Sequence, residues 1–173
     1  MLPSLTLVLG GAASGKSQVA EDVILNSGLQ PAYLATSRIW DDEIRDKVNL
    51  HRARRGPEWR TVDAELDLSV PLQQGRDGEI FLVDCATMWL TNVLMDDLDI
   101  ETARNELLCA LANCSAPVVV VSNEVGQGIV PDNALARRFR EAQGRLNIAL
   151  AAQADCVLHV VAGLTQALKG KAP

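Results

Sequence analysis

Gly10-Gly11-Ala12-Ala13-Ser14-Gly15-Lys16-Ser17 decides the fold of this chain of 173 residues. In such a Gly-x-x-x-x-Gly-Lys-Ser pattern, glycines let the backbone curl until successive N–H groups point at phosphate oxygens. The apolar run Leu5–Leu9 precedes it, and a helical pattern over Lys16–Asn26 follows. The alternative, a glycine-rich turn without a ligand, does not require this context. We therefore predict a phosphate cradle (Walker A, or P-loop), in which Lys16 reaches the β and γ phosphates and the Ser17 hydroxyl binds Mg²⁺.

Outward from this stretch, apolar runs of strand length alternate with helical patterns. The predicted strands are Leu5–Leu9, Pro31–Ala35, Ile80–Val83, Pro117–Val121 and Cys156–Val161. The predicted helices are Lys16–Asn26, Asp41–Arg54, Cys85–Leu94, Ile100–Asn113 and Asn133–Gln153. This alternation predicts an α/β fold of the P-loop NTPase type, a mostly parallel sheet flanked by helices. We expect one domain over residues 1–173, with Gln166–Pro173 frayed at its end.

Composition excludes several classes of function. The net charge of −6 argues against a nucleic-acid partner, because such proteins usually carry a basic surface. No apolar run is long enough to span a membrane. The start, Met1-Leu2-Pro3-Ser4, lacks the features of a signal peptide, and the four cysteines form no Cys-x-x-Cys pair. We expect a cytoplasmic protein.

Asp84 ends the apolar run that begins at Ile80, so it resembles the Walker B acid that lies near the metal in P-loop enzymes. Acidic residues at strand ends are common, and the motif is weak by itself. The alternative is an aspartate that only caps the helix beginning near Cys85. The sequence therefore makes Asp84 a candidate for contact with the metal or the nucleotide.

The predicted helix Asp41–Arg54 begins with acids and ends with arginines, which suits the helix macrodipole. His51 lies near its end, followed by three arginines within four residues. A histidine in such a place is most often structural. Neighbouring arginines nevertheless favour the neutral imidazole that nucleophilic attack on phosphate requires, whereas the C-terminal dipole opposes this. The residues alone leave both roles open.

Four motifs together resemble the bifunctional adenosylcobinamide kinase/adenosylcobinamide-phosphate guanylyltransferase family. These are the cradle, Tyr33-Leu34-Ala35-Thr36-Ser37, His51-Arg52-Ala53-Arg54-Arg55 with Trp59, and Ser122-Asn123-Glu124-Val125-Gly126-Gln127-Gly128-Ile129-Val130-Pro131. The resemblance covers nearly the whole chain, and the last motif is the most specific. It implies an enzyme of cobalamin biosynthesis that phosphorylates the aminopropanol hydroxyl of adenosylcobinamide with ATP or GTP. The same enzyme would then transfer GMP from GTP to adenosylcobinamide phosphate and release pyrophosphate.

The resemblance also assigns site residues. His51 matches the histidine that is guanylylated in the family, and the other histidine, His159, is expected in the core. The nucleotide would contact the cradle from Gly10 to Ser17, the strand end Ala35, Thr36 and Ser37, and the segment Arg52, Ala53, Arg54 and Arg55. Mg²⁺ would be held by Ser17 and Asp84. The family also implies a homotrimer.

Two further positions carry open hypotheses. Asp63 is a candidate reader of the guanine base, because a carboxylate accepts both donors of the guanine edge; the alternative is a solvated loop acid. Glu124, with Asn123, follows a predicted strand and enters a glycine-rich loop. It could shape the corrinoid site or act as a base for the substrate hydroxyl, and a plain strand-to-helix connection with Asp132 or Asn133 as N-cap is the alternative.

Ala13 departs from the family, in which many members have arginine. The departure bears on nucleotide affinity more than on reaction type, because the amide cradle and Lys16 remain. A single-activity P-loop kinase for a small metabolite or nucleotide is the alternative enzyme, and a regulatory nucleotide-binding module is the alternative outside enzymes.

Overall fold

The computed structural model describes residues 2–39, 42, 45, 46 and 55–172. The strands within these residues are β1 Leu5–Gly10, β2 Gln30–Ala35, β3 Arg60–Asp63, β4 Glu79–Asp84, β5 Val118–Asn123, β6 Cys156–Val161 and β7 Leu164–Lys169. The helices are α1 Lys16–Asn26, α2 Ser69–Gln73, α3 Ala86–Met95, α4 Ile100–Asn113 and α5 Ala134–Gln153. Three residues of the predicted helix Asp41–Arg54 are described, namely Asp42, Arg45 and Asp46, and their backbone is helical. The rest of that helix lies outside the described residues.

The strands form one sheet in the order β3-β2-β4-β5-β1-β6-β7. All neighbours pair in parallel except β6 and β7, which pair antiparallel. The carboxyl ends of β3, β2, β4, β5, β1 and β6 therefore meet at one edge of the sheet. The predicted α/β fold with a mostly parallel sheet is confirmed. Among the described residues, no helix is both long and apolar enough to cross a membrane.

Each face of the sheet is buried against different helices, because successive side chains of a strand point to opposite faces. Leu7, Val83 and Val157 belong to the cluster that packs against α3, α4 and α5. Val8, Leu82 and Leu158 belong to the cluster that packs against α1. We call these two faces the α5 face and the α1 face. The near-continuous apolar runs of β1, β4 and β5 follow from burial on both sides.

The predicted frayed end is wrong, because Gln166–Lys169 belongs to β7, a regular strand hydrogen-bonded to β6. A two-residue turn joins the strands, and both Ala162 and Gly163 have positive φ, as tight hairpins require. Every residue of β7 is exposed. Its sequence therefore has no apolar alternation by which a strand can be recognised.

Sequence analysis also missed β3 and α2, which have four and five residues respectively. Elements of this length show too few periods for a hydrophobic pattern to be read. The start of α5 agrees with the prediction more closely. Asn133 is the N-cap of α5, since its side chain accepts a hydrogen bond from the Ala136 N–H at 3.1 Å.

Candidate nucleotide-binding site

The predicted cradle connects the carboxyl end of β1 to the first turn of α1. The Ser14 N–H donates to the Gly11 carbonyl at 3.3 Å, which closes a turn inside the loop. Lys16 Nζ donates to the same carbonyl at 3.0 Å, so the lysine folds back over its own loop. Ala13 and Gly15 have positive φ values of 53° and 92°. This curled backbone places the N-terminus of α1 and the Lys16 ammonium at one anion-binding concavity.

Two glycines of the cradle are required by close approaches. A Cβ atom at Gly10 would lie 2.3 Å from Ser14 Oγ and 2.7 Å from the Val160 carbonyl oxygen. A Cβ at Gly15 would lie 3.2 Å from Gly163 Cα, in addition to the strain of its positive φ. The Gly163 N–H donates to the Ser14 carbonyl at 2.8 Å. The turn between β6 and β7 therefore packs against the cradle and is hydrogen-bonded to it.

Asp84 lies at the carboxyl end of β4, on the α1 face, and interacts electrostatically with Lys16. Burial lowers the pKa of Lys16, while Cys85 and Asp84 act to raise it. Burial raises the pKa of the Cys85 thiol to about 11, so at neutral pH the thiol is uncharged and Asp84 is the effective partner of Lys16. The N-cap of α3 is Cys85, and no side chain caps that helix. Asp84 is therefore not the helix cap that was its alternative role.

Tyr33 connects Asp84 to Arg55, the last of the three arginines that follow His51. Its hydroxyl donates to Asp84 Oδ2 at 3.2 Å, and the guanidinium carbon of Arg55 lies 3.3 Å from the centre of its ring. Trp59 meets the same ring edge-on, with 6.4 Å between centroids. Burial raises the pKa of Tyr33, and the Asp84 charge raises it further, so the hydroxyl stays a donor. Sequence analysis did not single out the Tyr33 side chain, although it is the only tyrosine in the chain.

Ala35, Thr36 and Ser37 leave the carboxyl end of β2 next to Asp84, since Ala35 is the register partner of Asp84. Thr36 is fully buried. Its hydroxyl accepts from the Cys85 N–H at 2.7 Å and donates to the Cys85 carbonyl at 2.8 Å. Ala35 and Ser37 are partly exposed. The Thr36 hydroxyl thus holds the backbone of Cys85, the residue after Asp84. Ala35 and Ser37 remain accessible at this edge of the sheet.

Asp63 ends β3 and is exposed. It is the register partner of Ala35, which is in turn the partner of Asp84. Neighbouring strands lie about 4.8 Å apart, so Asp63 stands roughly 10 Å from Asp84 along this edge. The structure thus brings Asp63, Ala35 and Asp84 into one row. His51, Arg52, Ala53 and Arg54 lie outside the described residues, and Arg55 is the described end of their segment.

A cavity of about 370 Å³ adjoins the cradle. Its walls are residues 11–14 of the cradle, Glu124 and Gln127 after β5, and residues 159–162 at the turn after β6. His159 is partly exposed in this wall and is not the core residue that was expected. It lies on the same face as Val157, and the strand ends where the cavity opens. The signal in the sequence that could have predicted this exposure is that His159 lies only two residues before the end of the strand.

Two groups at the cradle, the Ser17 hydroxyl and the Asp84 carboxylate, are suited to bind a divalent cation. The Ser17 hydroxyl belongs to the first turn of α1, and the Asp84 carboxylate interacts with the adjacent Lys16. Hydroxyl and carboxylate oxygens are the ligands that Mg²⁺ prefers, with phosphate oxygens and water completing its octahedron. Within the described ranges, no cluster of three or more His, Cys, Asp or Glu residues forms a metal site made of protein alone. The donor set therefore fits a metal that arrives with a nucleotide.

Taken together, the cradle at the carboxyl edge of a parallel sheet and its acidic neighbour define a P-loop nucleotide-binding enzyme. Solved structures support the fold. A prototypical ATPase from the type III secretion system of pathogenic bacteria superposes with a TM-score of 0.55 at 8% identity, over 95% of this chain and 56% of that one.

Sequence comparison identifies the family. Residues 6–168 match the cobinamide kinase / cobinamide phosphate guanyltransferase family. The bifunctional adenosylcobalamin biosynthesis protein CobP of Pseudomonas aeruginosa is 41% identical over 95% of this chain and 97% of its own length. The bifunctional adenosylcobalamin biosynthesis protein CobU of Escherichia coli K12 is 41% identical over 95% of this chain and 99% of its own. The chain belongs to the cobinamide kinase / cobinamide phosphate guanyltransferase family, which confirms the resemblance and makes it a phosphorus-group transferase of the kinase and guanylyltransferase class.

Proposed function

We propose that the enzyme phosphorylates the aminopropanol hydroxyl of adenosylcobinamide with ATP or GTP and then converts the phosphate to adenosylcobinamide-GDP with GTP. The relatives' names and the family description support the two activities and the cobinamide substrate. The phosphate cradle supports a nucleoside triphosphate as donor. The reactions share the cradle but break different bonds, since the first transfers the γ-phosphoryl group and the second transfers GMP.

In the first reaction, the cradle and Lys16 bind the triphosphate and balance its charge. Ser17 and Asp84 would hold Mg²⁺, which neutralises further phosphate charge when it is bound. Tyr33 holds the Asp84 carboxylate in place through its hydroxyl. Positioning and electrostatic stabilisation account for most of the catalysis of phosphoryl transfer, and these groups supply both.

In the second reaction, a nitrogen of His51 attacks the α-phosphorus of GTP, and pyrophosphate leaves with the electron pair of the broken bond. An oxygen of adenosylcobinamide phosphate then attacks the guanylylated histidine and restores the free imidazole. Arg52, Arg54 and Arg55 lie next to His51 in sequence and would neutralise the phosphates. Ala35, Ser37 and Asp63 would contact the nucleoside, with Asp63 accepting from the guanine edge.

The observation that carries this proposal is a series of interactions between described side chains that runs from the cradle to Arg55. Lys16 interacts with Asp84, Asp84 accepts from Tyr33, and the Tyr33 ring contacts the Arg55 guanidinium. Arg55 stands four positions after His51. Arg55 Nη1 is buried and has no hydrogen-bond partner among the described residues, and a phosphate oxygen would satisfy it. The position of Arg55 beside Tyr33 supports a role for the segment that carries His51 at the phosphate site.

The test is incubation with GTP labelled at the α phosphate, followed by intact-protein mass measurement. We expect a mass increase of one guanylyl group with release of pyrophosphate, and loss of the label on addition of adenosylcobinamide phosphate. A label at the γ phosphate is the control and should not stay on the protein. A protein that phosphorylates adenosylcobinamide but never carries GMP would instead be a single-activity kinase.

A further inference from the structure

Glu124 is a carboxylate at the phosphate cradle that the proposed reactions leave without a role. It follows β5, the strand between the strands of Asp84 and the cradle. Its backbone N–H donates to the Gly10 carbonyl at 3.0 Å, so the residue is tied to the first residue of the cradle. Its side chain helps to line the cavity of about 370 Å³ whose other walls include residues 11–14 of the cradle.

A carboxylate here is unfavourable for binding alone, since it repels the triphosphate that the neighbouring backbone attracts. A plain connection between β5 and α5 would not need a charge at this point. An acid beside a phosphate cradle is useful when it takes a proton from the incoming nucleophile, as the acid of the kinase catalytic loop does. The cavity provides room for that nucleophile.

The carboxylate is held in position by the loop that follows. Glu124 Oε1 accepts from the Gly126 N–H at 2.5 Å. Arg140 of α5 donates to the carbonyl oxygens of Gly126 and Gly128, which fixes the loop to the helix. Among the described residues, no hydrogen bond engages Oε2. One carboxylate oxygen is therefore anchored, and the other is available.

Buried polar groups fix the backbone just before Glu124. The Asn123 N–H donates to Thr87 Oγ1 at 2.8 Å, and Asn147 Nδ2 donates to the Asn123 carbonyl at 3.0 Å. Asn147 Oδ1 accepts from Ser122 Oγ and from Gln143 Nε2, which are both buried. Such a network holds a neighbouring side chain within the tolerance that catalysis requires.

We propose that the cavity beside residues 11–14 receives the acceptor hydroxyl of the kinase reaction and that Glu124 Oε2 is the base that accepts its proton. The inference rests on the proposed function and adds the catalytic residue and the acceptor subsite of its first step. The hydroxyl oxygen forms a bond to the γ-phosphorus, and the bond from that phosphorus to the β–γ bridging oxygen breaks. The electron pair leaves with the nucleoside diphosphate, and the hydroxyl proton goes to Glu124.

The test uses Glu124→Gln, which keeps the side-chain shape and an acceptor for the Gly126 N–H. We expect phosphorylation of adenosylcobinamide to fall at least about 100-fold, the range that general bases contribute. Nucleotide affinity and transfer of GMP to supplied adenosylcobinamide phosphate should stay within about threefold, because neither needs this proton transfer. Glu141→Gln, at an exposed ion pair of α5, is the matched control and should leave both rates unchanged.

Each outcome decides one proposal. A Glu124→Gln enzyme that keeps more than about a hundredth of its kinase rate, or loses both activities equally, overturns the role of Glu124 as base. Wild-type protein that modifies neither cobinamide nor its phosphate overturns the proposed function instead. If Glu124→Gln does not fold, Glu124→Ala with added formate replaces it. Restoration of the kinase rate by formate supports a missing base, and no restoration in a folded variant contradicts it.

Discussion

The two sides of the phosphate cradle are built differently. On the α1 face, side chains interact with side chains: Lys16 interacts electrostatically with Asp84, Asp84 accepts from Tyr33, and the Tyr33 ring contacts Arg55. On the side of the cavity, Glu124 is positioned mainly by backbone hydrogen bonds to the cradle and to an exposed, glycine-containing loop. A packed, charged side suits tight nucleotide binding, and an open, backbone-held side suits a large acceptor that must enter and leave. Under the two proposals, one cradle would serve both transfers because the donor and the acceptor would bind on different sides of it.

The largest effect is expected from His51→Ala. It should abolish the covalent GMP adduct and lower guanylyl transfer by at least about 1000-fold, because loss of a nucleophile removes the route itself. Kinase activity should partly survive, since it needs the cradle, the metal and a placed hydroxyl. Adduct mass and the rates of both reactions check this. The adduct should be labile to acid and stable to alkali, as expected of a phosphoramidate.

His51→Asn is the companion variant and should fail equally, because it keeps polarity without a nucleophilic nitrogen. Covalent GMP on either variant would place the nucleophile elsewhere. Equal loss of both activities would show that His51 serves the structure or a shared binding site.

Lys16→Ala should impair both reactions. Loss of the ammonium removes a charge that both transfers use, and we expect kcat/KM for each reaction to fall at least about 100-fold. The fold should persist, because the substitution leaves the apolar clusters intact. Nucleotide titration, both rates and the thermal midpoint measure this. Lys171→Ala, an exposed lysine after β7, is the control, and unchanged GTP turnover in Lys16→Ala would remove the basis of the site.

Tyr33→Phe should weaken the α1 face alone. The variant keeps the ring that meets Arg55 and Trp59 but removes the donor to Asp84. A hydrogen bond to a charged group contributes roughly 1.5–3 kcal/mol, so we expect a fall of about 2 kcal/mol in the free energy of unfolding and about tenfold lower rates. Denaturant unfolding and kinetics measure both quantities. Thr165→Val, which deletes an exposed hydroxyl of β7, is the matched control; equal effects in the two variants would deny Tyr33 this role.

Asp63→Asn should have the smallest effect. An amide offers one donor and one acceptor where guanine requires two acceptors, so the preference for GTP over ATP should fall by about 10-fold, the value of one impaired pair of hydrogen bonds. Competition between the two nucleotides measures the preference. Asp77→Asn is a control at another exposed aspartate. Preserved selectivity in Asp63→Asn would leave Asp63 a solvated surface acid.

The amino-acid sequence by itself determined the cradle, the order of the main strands and helices, and the family. These depend on local requirements. Gly15 is demanded by its positive φ of 92°, and the all-apolar strands β1 and β5 are demanded by burial on both faces. The bounds of α1 and α4 agree with their predictions for the same reason, since helix periodicity and end signals are read over a few neighbouring residues.

Only the tertiary structure decided what surrounds the cradle. The β6–β7 hairpin braces Ser14 through a hydrogen bond across 149 positions of the chain, and Tyr33 reaches Asp84 across 51. Such pairings arise from strand order and from which face a side chain takes, and neither leaves a local signal when the strand is short or exposed. His159 shows this most plainly. Leu158 is buried in the core, whereas His159, the next residue of the same strand, lines the cavity.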